Sequence, residues 1–443
     1  MMRRVFLMLL FSTVIVFGFA QEIMDLPKAI SIALENNYGI KIADHNIAIA
    51  EKNNTWAQAG KTPTIDLNGT FNNNLINDNN PASFLQGTYY TGSLAGSIDA
   101  NWVIYGGGRF EVAKDQLEFL VREESLNKDL AIHDLLQRIY QEYFNVLFQQ
   151  ERLKVLRETY ALSEAKLAYE LVKKEYGSSN SLNIIQFENA LVTDSINIVS
   201  QTLQVETAKS NLYTTLVLPP FSNFAFNEQI SVTDETISRD KLQKALTDEN
   251  YTLKNLALLS ELNALNTQLA KAQRRPILSV GGSLGLSQNG FKFFEDNPTT
   301  GEPFEFLFSN RINGSLSANF TWNIYDGGVQ KTAVQTAKLQ EEITKLSIEE
   351  ANAQLSNQLD VLIINYENQR EVLNLSDEQI RLAKENLEML DERFKSGLAT
   401  SIDYRSIQLQ YLNAAFAKVS AMYNLILTKS EIDYLAGKFK QDY

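Results

Sequence analysis

The chain has no cysteine, and only two histidines and eight prolines in 443 residues. Without a thiol it can form no disulfide, and no lipid can be attached at an N-terminal cysteine. His45 and His133 stand far apart, so neither has a partner at metal-ligand spacing, and both read as structural or exposed. Beyond residue 20 there is no run of about eighteen apolar residues, so no helix is expected to span a membrane. If the chain enters a bilayer, the alternative is a closed β-barrel, which also pairs every backbone polar group. The net charge of −13 weighs against nucleic acid as a partner.

Residues 1–20 read as a secretory leader. Arg3 and Arg4 precede the apolar stretch 5–19, and Gly18-Phe19-Ala20 offers small residues at a cleavage site, leaving Gln21 first. An N-terminal anchor is the weaker reading, because the apolar stretch is short for a span.

The rest reads as two similar halves. Ala33-Leu34-Glu35-Asn36-Asn37-Tyr38 is echoed by the segment 245–251, which ends in Asn250-Tyr251, and Pro63 is matched by Pro276. Trp102-Val103-Ile104-Tyr105-Gly106-Gly107-Gly108 recurs as Trp322-Asn323-Ile324-Tyr325-Asp326-Gly327-Gly328. Each half runs in the order medium helix, two strands, glycine turn, very long helix, short turn, returning helix. The divisions are a leader (1–20), a first repeat (21–218), a linker (219–239), and a second repeat with a C-terminal tail (240–443).

Neither 109–176 nor 329–396 contains Gly or Pro, which predicts helices on the order of 100 Å long. In the second rod Leu355, Leu359, Leu362, Tyr366, Leu373, Ile380, Ala383, Leu387, Leu390 and Phe394 follow a period near 3.5, as in knobs-into-holes packing. Ile132, Leu136, Ile139, Tyr143 and Val146 do likewise in the first rod, where Leu135, Phe144 and Leu147 beside the seam suggest a second neighbour. Each rod ends in small residues, 177–181 and 396–401, with Ser181 or Ser401 placed to cap the returning helix. Those helices are expected from Leu182 to about Val217 and from Ile402 to about Ala436.

After Pro63 the period becomes two. Ile65, Leu67 and Phe71 alternate with Asp66, Asn68 and Thr70, and three further strands carry Leu94 to Ile104, Leu278 to Leu286, and Ile312 to Ile324. The polar faces are Asn, Ser and Thr with almost no Lys or Glu. That suits a confined wet lumen better than the open surface of a soluble sandwich. Trp102, Tyr105, Trp322 and Tyr325 sit at strand ends, where aromatic girdles lie. Polar loops are expected over about 73–88 and 290–309. Four strands cannot close a membrane barrel, which takes about eight, so copies must share one; a dimer or a trimer satisfies the count.

Three motifs together resemble the TolC-like outer-membrane efflux protein family. They are Leu26-x-x-Ala29-x-x-x-Ala33-Leu34-x-x-Asn37, then Trp322-x-x-Tyr325-Asp326-Gly327-Gly328, then the stretch from Phe394 to Asp403. The resemblance implies a mainly α fold with a membrane β-barrel. Long antiparallel helical hairpins would form an α-barrel, four strands per chain would build a twelve-stranded barrel in a homotrimer, and a mixed equatorial region would include the link at Pro219-Pro220-Phe221. It also implies export from periplasm to exterior, contact with outer-membrane lipid, and docking to a periplasmic adaptor and an inner-membrane pump. A gate is implied at the helical tip, at Phe394, Gly397, Thr400, Ser401, Asp403 and Ser406, with Gly177 and Asn180 in the other half. The chain departs from the family pattern there: Ser406 stands where a second Asp is usual, Ala399 replaces a basic residue, and Phe394 lacks a hydroxyl. Asp403 equally fits an ordinary first-turn acid favoured by the helix dipole.

No catalytic constellation emerges. Gly106-Gly107-Gly108 lacks dinucleotide spacing and reads, with Gly327 and Gly328, as a strand-to-helix turn; Gly282-Ser283-Leu284-Gly285 is no nucleophile elbow. No cofactor or catalytic metal is expected, and a periplasmic hydrolase is disfavoured. The rival reading is a non-porous coiled-coil envelope protein, which would not need four alternating strands with aromatic ends.

Overall fold

The computed structural model describes residues 22–82, 86–219, 222–228, 230, 237–296 and 300–439. The expected leader lies outside the described residues, as do Gln21, Pro220 and Phe221. The first run of elements is α1 (Leu26–Asn36), α2 (Tyr38–Asn53), β2 (Thr64–Asp78), β3 (Gly87–Tyr105), α3 (Arg109–Glu175) and α4 (Ser181–Thr215). The same order returns as α5 (Arg239–Glu249), α6 (Tyr251–Ala272), β5 (Ile277–Phe293), β6 (Leu307–Thr321), α7 (Val329–Lys395) and α8 (Ser401–Leu435). β1 (Glu22–Ile23) and β4 (Phe224–Ala225) add a short parallel pair that the sequence did not announce.

The medium helix expected in each half is two helices. The break falls on the echoed motif itself: Asn37 and Asn250 both leave the helix with extended backbone. The Asn37 carboxamide accepts from the amide of Gly39 at 2.8 Å, so its side chain competes with the helical ladder. The caps of the returning helices also sit one residue earlier than expected. Asn180 accepts from the Asn183 amide at 2.9 Å and Thr400 from the Asp403 amide at 3.2 Å, leaving Ser181 and Ser401 as first helical residues.

The chain forms two compact units. One holds the described residues of Met1–Lys41, Asp129–Asn250 and Gln354–Tyr443. Its main core gathers Met24, Ala29 and Ala33 with Ile139, Tyr143 and Val146 of α3, Leu212 and Leu216 at the end of α4, and Ile426 of α8. Each of the larger apolar side chains there contributes roughly 1.5–3 kcal/mol on removal from water. The Tyr143 hydroxyl donates to Glu228 at 2.6 Å, and burial foremost pushes its ionisation well above the usual range. His133 is buried with its Nε2 2.9 Å from the Tyr434 carbonyl, a structural role; His45 is exposed. Every residue of the expected second-rod seam is buried or half-buried, Leu359 and Phe394 among the most enclosed.

The other unit comprises Ile42–Lys128 and Tyr251–Ala353. Its antiparallel sheet has the order β2-β3-β5-β6, with β2 and β6 unpaired on their outer sides among the described residues. Val112 and Phe119 of α3 pack on Leu265 of α6, and Arg122 holds Glu261 bidentately at 2.8 and 2.6 Å.

The strands differ from expectation at their ends. β2 continues through Asn72, Asn73 and Asn74 to Asp78, and β5 reaches Phe293, so the connecting loops are shorter than the composition suggested. Asn is depleted in strands generally, but here continuous pairing with β3 satisfies the backbone. β6 ends at Thr321, so Trp322 and Ile324 lie beyond the ladder rather than on it.

Candidate functional site

Register puts Leu67, Ile98 and Leu284 side by side, and Phe71 opposite Leu94, on one face of the sheet. That face is bare: Leu67 is 81% exposed and Leu316 89%. The opposite face carries Asn68, Thr70, Asn72, Ser93, Ser97, Ser283, Ser315 and Asn319 in the alternate register. Exposed apolar surface of this extent, on every strand, marks a contact surface rather than scatter. At one end of the apolar face the Trp102 indole donates to the Lys61 carbonyl at 2.9 Å, while Trp322 donates to the Arg274 carbonyl at 3.2 Å. Tyr105 and Tyr325 are exposed nearby in sequence. A second aromatic group, missed in the sequence, lies at the loop end of the same face: Tyr90, Phe306 and Phe308, with ring centroids 5.7 and 4.6 Å apart in succession.

The two glycine turns lie between β3 and α3 and between β6 and α7. Gly107 and Gly108 have φ of 69° and 88°, and Gly327 and Gly328 have 72° and 92°, a left-handed backbone that other residues rarely take.

At the helical tips the structure brings some expected residues together and separates others. Phe394 is 2% exposed and packs against Phe187, Tyr404 and Tyr169 at 5.7, 5.4 and 6.1 Å. Lys166 stands 5.0 Å from the Tyr404 ring centroid and pairs with Asp391, which also accepts from Lys395 at 2.7 Å. Burial pulls the Asp391 carboxyl upward, but the two lysine hydrogen bonds outweigh it and leave it below the usual carboxylate range. Asp403 is exposed and occupied locally. It accepts from the Thr400 amide at 2.9 Å and the Thr400 hydroxyl at 2.7 Å, closing a capping box, and these bonds, the amide's first, lower its pKa. Ser401 is buried and bonds Asn183 and Gln186 on α4, whereas Ser406, Gly177, Gly397 and Asn180 are exposed. Gly177 and Gly397 both take positive φ in their turns.

The strongest links between the two hairpins were not foreseen. Asp194 on α4 is 1% exposed and takes a bidentate pair of bonds from Arg405 on α8, at 2.6 and 3.0 Å. Ser163 on α3 donates to the same carboxylate at 2.7 Å, and Gln408 donates to the Thr159 carbonyl and Ser163 at 2.8 Å. Lys166 and Asp391 add a tie between α3 and α7. These partners lie far apart in sequence, so no local motif pairs them. The signal open to inspection was a charged residue on an otherwise apolar helix face.

Two further seams are bare. On α4, Ile185, Val192 and Val199 recur at intervals of seven and so do Ile196 and Leu203, all exposed. On α7, Leu375, Leu382 and Met389 do the same. A heptad apolar stripe is the contact line of a coiled-coil neighbour. Among the described residues no group of three or more His, Cys, Asp or Glu could hold a metal ion, and no helix is long and apolar enough to cross a membrane.

Comparison with known proteins supplies the family. No curated protein sequence gives a significant match. The fold is similar to that of the Campylobacter jejuni CmeC outer membrane channel, at 16% identity and a TM-score of 0.71, covering 94% of this chain and 87% of that one. It is similar to the open state of the Neisseria gonorrhoeae MtrE outer membrane channel, at 18% identity and 0.70, covering 94% and 90%. The Vibrio cholerae outer membrane protein VceC matches at 13% identity and 0.69, covering 93% and 96%. The model of the outer membrane efflux protein family matches residues 29–216 and again 242–438, most of each half. The chain therefore belongs to the outer membrane efflux protein family.

Proposed function

We propose that three copies close into one conduit, a barrel made from twelve strands continued by a helical tunnel, which exports solutes passively from periplasm to exterior. As a member of its family the chain is a non-catalytic transport protein of the outer membrane. The observation that carries the oligomer is the sheet with an exposed apolar face and two open edges. An open edge is not tolerated in lipid, so β6 of one copy pairs with β2 of the next. The bare seams support the same arrangement. They lie on different helices, α4 and α7, and two unlike surfaces build a head-to-tail ring rather than a two-fold dimer.

The two aromatic groups support a membrane position between them. Tyr90 and Trp102 are on the same face of β3, and the strand between them is about 40 Å long at roughly 3.3 Å per residue. Tilted by about 40°, it spans about 30 Å, close to the height of an outer-membrane apolar band. The Asn, Ser and Thr face then lines the lumen. The two repeats, 21–218 and 240–443 with the linker 219–239, each supply two strands and one hairpin.

The helical tip is the gate in this reading, and Asp194–Arg405 with Lys166–Asp391 holds it shut. Asp403, Thr400, Ser401, Ser406, Gly397, Phe394, Gly177 and Asn180 shape the turns around it. A periplasmic adaptor would engage the helical surface and an inner-membrane pump would supply energy. The test is to purify the mature protein in detergent, size the oligomer, and record single channels in a planar bilayer. A trimer with a small, mostly closed conductance is expected. A monomer without conductance would overturn the proposal.

A further inference from the structure

The hydrophilic lining of the sheet stops short of its loop end. Tyr89 shares a face with Thr91 and Ser93 on β3, and Phe291 and Phe293 share it with Asn289 on β5. These rings therefore project from the polar face, opposite to Tyr90 and Phe308. Tyr89 stacks on Phe293 with centroids 6.1 Å apart and a 10° interplanar angle, and lies 5.5 Å from Phe291. Phe304, from the loop after β5, meets Phe293 edge-on at 5.5 Å. Two carboxylates border Gly87, two residues before Tyr89 on the same face: Asp78 is its cross-strand partner, and the Glu295 side chain lies against it.

Neither lipid contact nor burial accounts for this group. The rings at this height that face lipid are on the other side of the sheet, and these remain only partly covered. What the cluster offers is aromatic faces beside negative charge. Ring faces attract cations through their quadrupole, and stacked rings also accept flat apolar groups.

We propose that Tyr89, Phe291 and Phe293 form a contact subsite for aromatic organic cations at the exterior end of the duct. This rests on the reading of the polar face as the lumen. Three copies would set three such patches around the exit, where a departing solute exchanges the channel wall for open water.

The test uses the full mature protein in lipid nanodiscs, titrated calorimetrically with tetraphenylphosphonium, with empty nanodiscs subtracted. Saturable binding is expected, about tenfold weaker in the triple variant Tyr89→Leu, Phe291→Leu, Phe293→Leu, which keeps apolar bulk but loses the ring faces. Tetraethylammonium, a cation without rings, should bind at least about tenfold more weakly to the wild type. Should the triple variant fail to assemble, Tyr89→Leu alone should weaken binding about threefold. Equal binding by the leucine variants, or equal binding of the two cations, would overturn the subsite. Ionic current through the same purified protein in a planar bilayer reads the duct itself, so failure of that reading is seen separately.

Discussion

The two strand-to-helix junctions share a motif and a backbone path, yet their surroundings differ. At the first, Gly106 and Gly107 are buried, and a Cβ on Gly107 would come within 2.8 Å of the Arg275 Cβ and 3.0 Å of the Ala272 carbonyl. At the second, a Cβ on Gly327 or Gly328 would meet nothing within 4 Å. Tyr105 is 47% exposed and its counterpart Tyr325 is 85%. The cause is topological: β3 lies inside the sheet and β6 at its edge. The helices that follow show the same contrast. α3 buries Leu135, Leu136, Ile139, Tyr143, Val146 and Leu147, whereas α7 buries far fewer large apolar residues and exposes a heptad stripe. Two halves of like sequence thus differ in their long helices: α3 is the more enclosed within one chain, and α7 the barer.

Four perturbations would break or sharpen that contrast. The largest effect is expected at the internal tie between hairpins. Arg405→Met leaves the buried Asp194 carboxylate unpaired, which should cost about 3–5 kcal/mol and lower the thermal unfolding midpoint sharply. Retention of the wild-type midpoint would remove this tie from the gate. Next is Leu136→Ala on α3 against Leu375→Ala on α7. The first should lose about 2–5 kcal/mol in any state, because Leu136 is enclosed within one chain. The second should leave an isolated protomer nearly unchanged, while Leu375→Glu should shift the oligomer to monomers in light scattering. If Leu375→Glu stays fully assembled, the α7 stripe is not an interface.

Smaller again is the junction pair. Gly107→Ala and Gly327→Ala share the cost of a left-handed alanine, about 1–2 kcal/mol. Only the first should add an overpacking penalty of about 1–3 kcal/mol, read as the difference between their unfolding midpoints. Equal losses would mean that a neighbouring copy fills the space beside Gly327. The smallest effect is on pH. Asp391 and Asp403 both have lowered carboxyl pKa values, so their contribution is complete above the unfolded value near about 4 and is lost as pH falls through the folded ones. Stability should be flat from neutral pH to about 5 and decline below about 4. In Asp391→Asn that acid limb should shrink; an unchanged limb would show that other carboxylates set it.

Much of the architecture was legible because it is repetitive. Glycine-free and proline-free stretches fixed α3 and α7 to within a residue, and the period of 3.5 through Leu359, Tyr366, Leu387 and Phe394 picked out side chains that are buried. Alternation at Leu67, Ile98 and Leu284 likewise marked one face of the sheet. Reading failed where a local preference was overridden or where partners were remote. Asn73 and Asn74 look like the start of a loop and are strand, because their ladder to β3 is unbroken. The helix break at Asn37 rests on one carboxamide competing with the backbone. The tie from Asp194 to Arg405 joins residues far apart in sequence and is marked only by a charge on an otherwise apolar helix face. At the tip, Asp403 invited two readings, and its bonds with Thr400 supply the geometry of a helix cap. The exposed heptads on α4 and α7 are equally periodic, but periodicity alone does not separate a stripe that packs within the chain from one left bare.

The bare rims of β2 and β6 also bear on how the protein is made. A newly exported chain carries two rows of unsatisfied backbone groups and an oily sheet face, the ingredients of wrongly registered stacks with any strand it meets. In the proposed trimer these groups are satisfied only when copies meet. Assembly is then a race whose winning rate rises steeply with local abundance, while loss to aggregates or proteases depletes the same pool. A cell that halves expression would lose more than half of its finished channels.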